Sequence, residues 1–279
     1  MNKFFLIQLI VSFVVGGTVI ALLSFIAEKA NKRIAGIILA FPTTVALGFF
    51  FLGWTLSSNT VADVVPATLI PLGLSVLFVA VYVRIAEYSA RIIRSKVWQI
   101  IVSFTLSIGL WFVLAIPFVI LKINHLGIGV AGYLLLICIA HLLLQRKNHE
   151  KAVSLTYSVG QKISRAIFVG FIVFLVVLLG KLSNPFWGGM FAVFPAAFSS
   201  VLIILHWYHD PKSLSPTMQK VAIGSLSLFA YALTTIVVFP RFGFIVGTIF
   251  AYAVSLAVTL GLMTFESKSS IFLTKRTNN

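Results

Sequence analysis

Apolar residues occur in long runs, separated by short groups of Gly, Pro, Ser, Asn and charged residues. A helix that crosses a bilayer needs about 20 mostly apolar residues. Applied along the chain, this criterion predicts an all-α integral membrane protein with nine transmembrane helices. The predicted spans are residues 4–27, 34–56, 64–83, 97–121, 126–145, 163–181, 186–207, 219–239 and 242–263.

Composition narrows the class of protein further. Apolar residues make up 60% of the 279 positions, charged residues only 10%, and the mean hydropathy is +1.09. Because a soluble domain carries about 25% charged residues, this chain cannot supply a soluble surface. Soluble enzymes, disulfide scaffolds and disordered chains are therefore excluded, and the single Cys138 cannot form an intramolecular disulfide. The segment after Met1 is interpreted as a retained first span, not as a cleaved signal peptide.

The basic residues indicate an orientation. With nine spans, 17 of the 21 Lys and Arg residues fall in the loops after spans one, three, five and seven and in the C-terminal tail. The positive-inside rule then places the N-terminus outside and the C-terminus in the cytoplasm. The net charge of +15 indicates anionic lipids at the cytoplasmic face as partners, and no nucleic acid.

Residues 8–54 resemble residues 161–207 at a constant separation of 153 positions. Ten of the 47 aligned positions are identical, and the rarer residue types among them argue against chance. Those pairs are Gly17 with Gly170, Asn31 with Asn184, Gly36 with Gly189, Phe41 with Phe194, Pro42 with Pro195 and Trp54 with Trp207.

The repeat predicts a domain organisation. Residues 1–121 form repeat 1 with spans one to four, and 161–265 form repeat 2 with spans six to nine. Residues 122–160 hold the linking span five and a cytoplasmic loop, and 266–279 form a cytoplasmic tail. Because one linking span separates the copies, the second copy is inverted in the membrane, an arrangement common in secondary transporters.

The segment Ile34–Thr44 carries the motif Ala-Gly, four residues, then Phe-Pro-Thr. In this it resembles the GlpM/YdgC-type small inner-membrane proteins, which have four spans and are thought to insert in both orientations. The resemblance implies two fused, inverted copies of such a protein. The second copy, Gly188–Ala197, keeps Gly and Phe-Pro but has Ala196-Ala197 in place of Thr43-Thr44.

The matched prolines point to a substrate-binding site. Each interrupts an apolar span, removes a backbone N–H and is expected to free carbonyls near Ile38 and Phe191. Interrupted helices at matching positions of two halves indicate a transporter site, although a packing kink is the alternative. The predicted site residues are Gly36, Phe41, Pro42, Thr43, Thr44, Gly189, Phe194, Pro195, Ser199 and Ser200.

We therefore expect a transporter of a small or amphipathic, lipid-like solute that works by alternating access of inverted repeats. No catalytic residue, metal ligand or cofactor is predicted, and the protein is not expected to be an enzyme. Two alternatives stay open. One is a membrane enzyme acting on lipid-linked substrates through His206, His209 and Asp210, and the other is a non-transporting assembly factor for an envelope or polysaccharide system.

Overall fold

The computed structural model describes residues 2–29, 42–145 and 157–277, with side chains for all of these except 27–29 and 265–277. Every regular element in these ranges is a helix. The α-helices are α1 (Lys3–Lys29), α2 (Thr43–Thr55), α3 (Ser58–Ile92), α4 (Lys96–Ile120), α5 (Leu126–Leu144), α6 (Val159–Leu182), α7 (Pro185–Ala192), α8 (Ala196–Tyr208), α9 (Leu214–Met218), α10 (Val221–Gly224) and α11 (Leu226–Thr277).

Seven stretches of these helices are long and apolar enough to cross a membrane. They are Lys3–Ile26, Ser58–Ile92, Lys96–Ile120, Leu126–Leu144, Val159–Leu182, Pro185–Tyr208 and Val221–Thr264. The all-α membrane class is thus confirmed. The bounds differ most for the third predicted span, 64–83, because Ser57 caps α3 well before the apolar run begins.

The last stretch folds back on itself at Gly243, within the 44 residues of Val221–Thr264. Gly243 has φ 76° and ψ 169°, a conformation that a side chain would strain. On either side of it the two arms pack antiparallel, since the Ser255 hydroxyl donates to the Ser227 carbonyl at 2.9 Å and the Tyr231 and Tyr252 rings lie 5.2 Å apart. The predicted join at Pro240-Arg241 therefore lies two to three residues before the observed turn.

Helix α3 is the centre of the bundle. It packs against α4, α5, α7 and α11, and its apolar side chains are buried on all sides along most of its length. A helix that is apolar all round suits a position surrounded by other helices, whereas α4 and α5 keep one exposed apolar face for lipid. Helix α3 therefore forms the common wall between the first half of the chain and the second.

One end of the bundle collects helix ends that are far apart in sequence. Arg84 of α3 donates to the carbonyl of Leu143 at the end of α5, and Ser215 donates to the neighbouring Leu144 carbonyl at 3.3 Å. Lys96 begins α4 and Lys220 precedes α10 at this same end. We call it the cation-rich end, and the described ends of the loops after predicted spans three, five and seven meet there.

The opposite end joins the start of α1 to the end of α2. The Gln8 side chain donates to the Trp54 carbonyl at 3.1 Å, and the Phe4 ring meets the Trp54 ring edge-on at 6.2 Å. Phe244, next to the break in α11, packs on Phe50 of α2 at the same end, with ring centroids 5.1 Å apart. The two ends of the bundle thus lie at opposite ends of the long helices.

Several helix bounds in the second half of the chain lie 153 positions after those in the first half, the same separation that relates the two halves of the sequence. Helix α2, Thr43–Thr55, corresponds residue for residue to α8, Ala196–Tyr208, and both have 13 residues. Helices α1 and α6 end at the corresponding residues Lys29 and Leu182. The sequence similarity is therefore accompanied by the same local structure.

Helices α1 and α6 cross antiparallel at their matched glycines. A Cβ on Gly17 would lie 2.9 Å from the Ala166 carbonyl oxygen, and one on Gly170 would lie 2.6 Å from the Phe13 carbonyl oxygen. Phe13 and Ala166 are themselves 153 positions apart. Reciprocal contacts of this kind are what a two-fold axis produces at an interface between equivalent elements.

At this crossing, adding one methyl group to either glycine is expected to lower the stability of the protein. Gly17→Ala and Gly170→Ala should each destabilise the protein by about 1–3 kcal/mol, because the new Cβ meets a backbone carbonyl that cannot move aside. The measurement is the thermal unfolding temperature of the purified protein in detergent. Gly109→Ala, where a Cβ would meet nothing within 4 Å, is the matched control and should not lower it. Equal behaviour of all three variants would contradict the close crossing.

Candidate functional site

The seventh predicted span is broken in its middle. Helix α7 ends at Ala192 and α8 begins at Ala196, with Pro195 at its N-cap. The turn between them is tight, since the Phe194 amide donates to the Phe191 carbonyl at 3.2 Å. The carbonyl of Phe191, expected from the sequence to be free, is therefore occupied.

Pro42 and Pro195 have the same backbone conformation. Pro42 precedes α2 with φ −75° and ψ 42°, and Pro195 precedes α8 with φ −75° and ψ 43°. Each proline carbonyl accepts the amide four residues later at 2.8 Å, from Ala46 and Ser199 respectively. The two prolines thus stand at the N-termini of two helices of 13 residues each.

Helices α2 and α8 run in opposite directions from these prolines. Helix α2 ends beside Gln8, at the end opposite the cation-rich one. Helix α8 ends at the cation-rich end, where the Tyr82 hydroxyl lies 3.2 Å from Nδ1 of His206. Both N-termini therefore lie in the interior of the bundle, where the helix dipole presents its positive end.

The broken backbone is held by a side chain from α3. The Ser75 hydroxyl donates to the Val193 carbonyl at 2.6 Å, and the indole N–H of Trp111 donates to the Ser75 oxygen at 3.0 Å. All three residues are buried. Since an unpaired carbonyl at membrane depth costs several kcal/mol, this chain of hydrogen bonds allows the break to exist there.

A cavity of about 440 Å³ opens at this break. Its walls come from α2, α3, the α7–α8 turn, the start of α8, the segment from α9 to α10 and both arms of α11. The lining residues are Thr44, Val45, Leu72, Ser75, Val193, Phe194, Pro195, Ala197, Phe198, Thr217, Lys220, Val221, Ile223, Gly224, Ser225, Leu228, Thr259, Leu262 and Met263. The size is that of a small-molecule site.

The middle of the cavity is lined by matched residues from the two halves. Four pairs of lining residues stand 153 positions apart, and we call them the paired centre. They are Thr44 with Ala197, Val45 with Phe198, Leu72 with Ser225, and Ser75 with Leu228. The separation of 153 positions thus also relates lining residues of α3 to lining residues at Ser225 and Leu228, beyond the positions whose identity suggested the repeat.

Several lining residues outside the paired centre are at least partly exposed, and one group of them we call the open flank. The open flank consists of Thr217, Lys220, Val221, Ile223 and Gly224, which are at least partly exposed and line the cavity. Their counterparts in α3 are Val64, Ala67, Thr68, Ile70 and Pro71, the packed flank. Of these, Val64 is 3%, Ala67 8% and Thr68 1% exposed, against an exposed Lys220 at the position matching Ala67.

Small residues on neighbouring helices close the packed flank. A Cβ on Gly189 of α7 would lie 2.4 Å from Val64 and 2.9 Å from Thr68. A Cβ on Gly132 of α5 would lie 2.6 Å from Ile70. The two matched flanks thus differ in one structure: four of the five packed-flank residues are buried, whereas every open-flank residue is at least partly exposed.

The structure places the predicted site residues in several environments. Thr44, Phe194 and Pro195 line the cavity, and Pro42 and Thr43 form the start of α2 beside it. Gly189 packs on the packed flank, and Ser200 donates to the Ala197 carbonyl of its own helix at 2.9 Å. The Ser199 hydroxyl is buried without a hydrogen-bond partner among the described residues. Gly36 and Phe41 lie outside the described residues.

Several lining residues were not in the predicted set. Leu72, Ser225 and Leu228 could have been found by extending the 153-residue separation past position 54, although their types differ between the halves. Lys220 carries no such signal, because it stands at the start of the eighth predicted span, 219–239, and belongs to no motif. Phe194 gains its position from aromatic packing on Trp111 at 5.2 Å and on Phe112 at 5.9 Å.

His206 and Asp210, two of the residues on which the enzyme alternative depends, do not lie on one surface. His206 is completely buried, with Nε2 3.4 Å from the Gln99 side-chain oxygen, whereas Asp210 is exposed. Asp210 caps the turn that follows, accepting from the Lys212 amide at 2.8 Å. Among residues 2–26, 42–145 and 157–264, no group of three His, Cys, Asp or Glu side chains is close enough to hold a metal ion.

Comparison with known proteins gives no relative: no family model, no curated protein and no solved structure matches the chain.

The hydrogen bonds at the break predict that Ser75 contributes more to the stability of the protein than Ser200 does. Ser75→Ala leaves the buried Val193 carbonyl without its donor and should destabilise the protein by about 1–3 kcal/mol. Ser200→Ala removes only a bond within its own helix turn and should change stability by less than about 0.5 kcal/mol. Thermal unfolding of the two purified variants makes the comparison. If Ser200→Ala proves as harmful as Ser75→Ala, the break does not depend on α3.

Proposed function

We propose that this chain is a multi-pass transporter that moves a small or amphipathic solute by alternating access of two inverted repeats. The observation that carries the proposal is the cavity at the paired centre, open along one flank and packed along the matched flank. In a protein built from two equivalent halves, exchanging their conformations would close the open flank and open the packed one. One design then supplies both the inward-open and the outward-open state.

Contacts at the crossing of α1 and α6 support the inverted arrangement. Equivalent residues meet reciprocally there, and the helices run antiparallel, as they must if one half is turned over in the membrane. The opposite directions of α2 and α8 agree with this. The proposed second copy begins near α6, with α5 as the linking span.

A count of nine spans is the finer form of this proposal. Helix α2 has too few residues to cross a bilayer alone, but it follows an apolar segment that begins at residue 34. The two arms of α11 supply the eighth and ninth spans. The seven apolar stretches supply eight spans, because the last of them is a hairpin, and α2 with the segment before it supplies one more. Nine spans also agree with the distribution of basic residues.

In the proposed orientation the cation-rich end faces the cytoplasm. Basic residues on that side would contact anionic headgroups and fix the chain in the bilayer. The open flank belongs to this end, so the structure corresponds to an inward-open state. The membrane is proposed to be a prokaryotic inner membrane, and the chain a fused pair of GlpM/YdgC-type units.

Single cysteines at Asn59 and Lys212 test the inversion. These exposed residues are 153 positions apart, just inside α3 and in the turn before α9. In a Cys138→Ala background, a membrane-impermeant thiol reagent on intact cells should label Asn59→Cys but not Lys212→Cys. Permeabilised cells, in which both should react, provide the control. Labelling of both positions on intact cells would rule out inverted copies.

Accessibility of the paired centre tests alternating access itself. Ala197→Cys, in the same background, should react with an impermeant reagent in inside-out vesicles and, more slowly, in right-side-out vesicles. The slower reaction reports the outward-open state, which is the less populated one.

The control for this experiment is Ser199→Cys, since Ser199 is fully buried and does not line the cavity. It should react from neither side. Reaction of Ala197→Cys from one side only, at any reagent concentration, would contradict alternating access and leave a one-sided binding pocket.

A further inference from the structure

The first turns of α6 bury two basic side chains. Lys162 is 3% and Arg165 7% exposed. They precede the buried Val169 at spacings of seven and four residues, so they continue the face by which α6 packs into the bundle. Helix α1 begins at the opposite end and crosses α6 antiparallel, so α6 begins at the cation-rich end.

The Arg165 guanidinium has buried N–H groups without an acceptor. Its Cζ atom lies 4.3 Å from the centre of the Tyr157 ring, a contact with the ring face. The Nε and Nη1 atoms are buried and have no hydrogen-bond partner among the described residues. No ion pair joins Arg165 to a described carboxylate, of which there are Asp63, Glu87 and Asp210. Because a buried cation with unfilled donors is strongly unfavourable, an acceptor from outside the chain is indicated.

The crossing of α1 and α6 does not need these charges. The positions 153 residues earlier, on the matched face of α1, are Leu9 and Ser12. Both are buried, and the Ser12 hydroxyl donates to the Leu9 carbonyl at 2.8 Å within its own helix. The first copy thus closes the same crossing with uncharged residues. This difference favours a ligand, not helix packing, as the reason for the cations in α6.

The guanidinium lies near the start of α6, although its backbone lies deeper. Arg165 stands six residues after Val159, about 9 Å along the helix axis. Its side chain reaches back to Tyr157, which precedes the helix, as long basic side chains do near a membrane surface. The intervening residues 158–160 are exposed. The charge is therefore placed at the depth of lipid headgroups, directly beneath the surface of the protein.

Apolar residues that face outward border this position. The Lys162 Nζ atom lies 4.3 Å from the centre of the Phe25 ring, and Phe25 of α1 is itself 40% exposed. On α6, Val159 is 60% and Ile163 53% exposed. Exposed apolar side chains of this kind contact acyl chains in a bilayer. A ligand here would meet cations at one end and an apolar surface below them.

A phosphate diester fits the donors that Arg165 leaves free. The Nε and Nη1 atoms point side by side, and two phosphate oxygens can accept from both at once. A headgroup that carries its own ammonium would bring a third cation beside Arg165 and Lys162. An anionic headgroup avoids that repulsion.

We propose that Arg165 binds the phosphate of an anionic phospholipid where α6 begins beside the end of α1. The acyl chains lie along the exposed apolar residues of these two helices. Lys162 adds positive charge while it keeps its existing contacts. This inference concerns binding alone and does not depend on transport.

The experiment uses the full chain purified in a non-ionic detergent, with dioleoylphosphatidylglycerol as the probe. Native mass spectrometry gives the Kd for the first bound lipid, and thermal unfolding gives the stabilisation. The lipid should raise the Tm, whereas zwitterionic dioleoylphosphatidylcholine should not. Arg165→Gln should raise the Kd about tenfold, the loss expected for one charge-assisted pair, and remove most of the rise in Tm.

A matched arginine controls for general surface charge. Arg94 is exposed at the same end, between α3 and α4, so Arg94→Gln should leave the Kd unchanged. Arg165→Lys keeps the charge and should bind the probe more tightly than Arg165→Gln does. Equal affinity of the unmodified chain and Arg165→Gln, or equal stabilisation by phosphatidylcholine, would overturn the proposal. If Arg165→Gln does not fold, equal affinity of Arg165→Lys and the unmodified chain overturns the bidentate contact.

Inorganic phosphate distinguishes a lipid headgroup from a soluble ligand with the same chemistry. It should neither raise the Tm nor displace phosphatidylglycerol, because it gains nothing from the apolar surface. Displacement of the lipid by inorganic phosphate, with an equal rise in Tm, would identify a soluble phosphate as the ligand and refute the lipid.

Discussion

The structure depends on one constraint, the need to satisfy a broken backbone inside a membrane. No water is available at that depth, so an interrupted helix survives only where protein surrounds it or where it faces a cavity. Pro195 lies at the break between α7 and α8, and the Val193 carbonyl at this break accepts a hydrogen bond from the Ser75 hydroxyl of α3. This requirement explains why α3 lies at the centre of the bundle, with Trp111 of α4 behind the serine. The cavity is the space that remains where the two half-helices point at each other.

In the proposed transport cycle, the two halves exchange conformations between the inward-open and outward-open states. This exchange costs little free energy only if equivalent contacts form in both states. The crossing at Gly17 and Gly170 has this property, because each glycine meets the equivalent carbonyl of the other helix. Helix α5 has no counterpart and contacts both halves: Gly129 approaches the Pro66 carbonyl of α3, and Tyr133 stacks on Phe229 of α11 at 4.2 Å. In the proposed transport cycle it is the fixed element against which the flanks move.

The sequence predicted the helical membrane class and the equivalence of Pro42 and Pro195, because rare residues at a constant separation need no tertiary information. It could not predict that the prolines start new helices, which depends on a donor from α3 that is remote in sequence. The turn at Gly243 was missed because Pro240 is the stronger local signal, yet Pro240 continues the helix. The contribution of Lys220 to the cavity depends on how the arms of α11 fold back, and no local pattern encodes that.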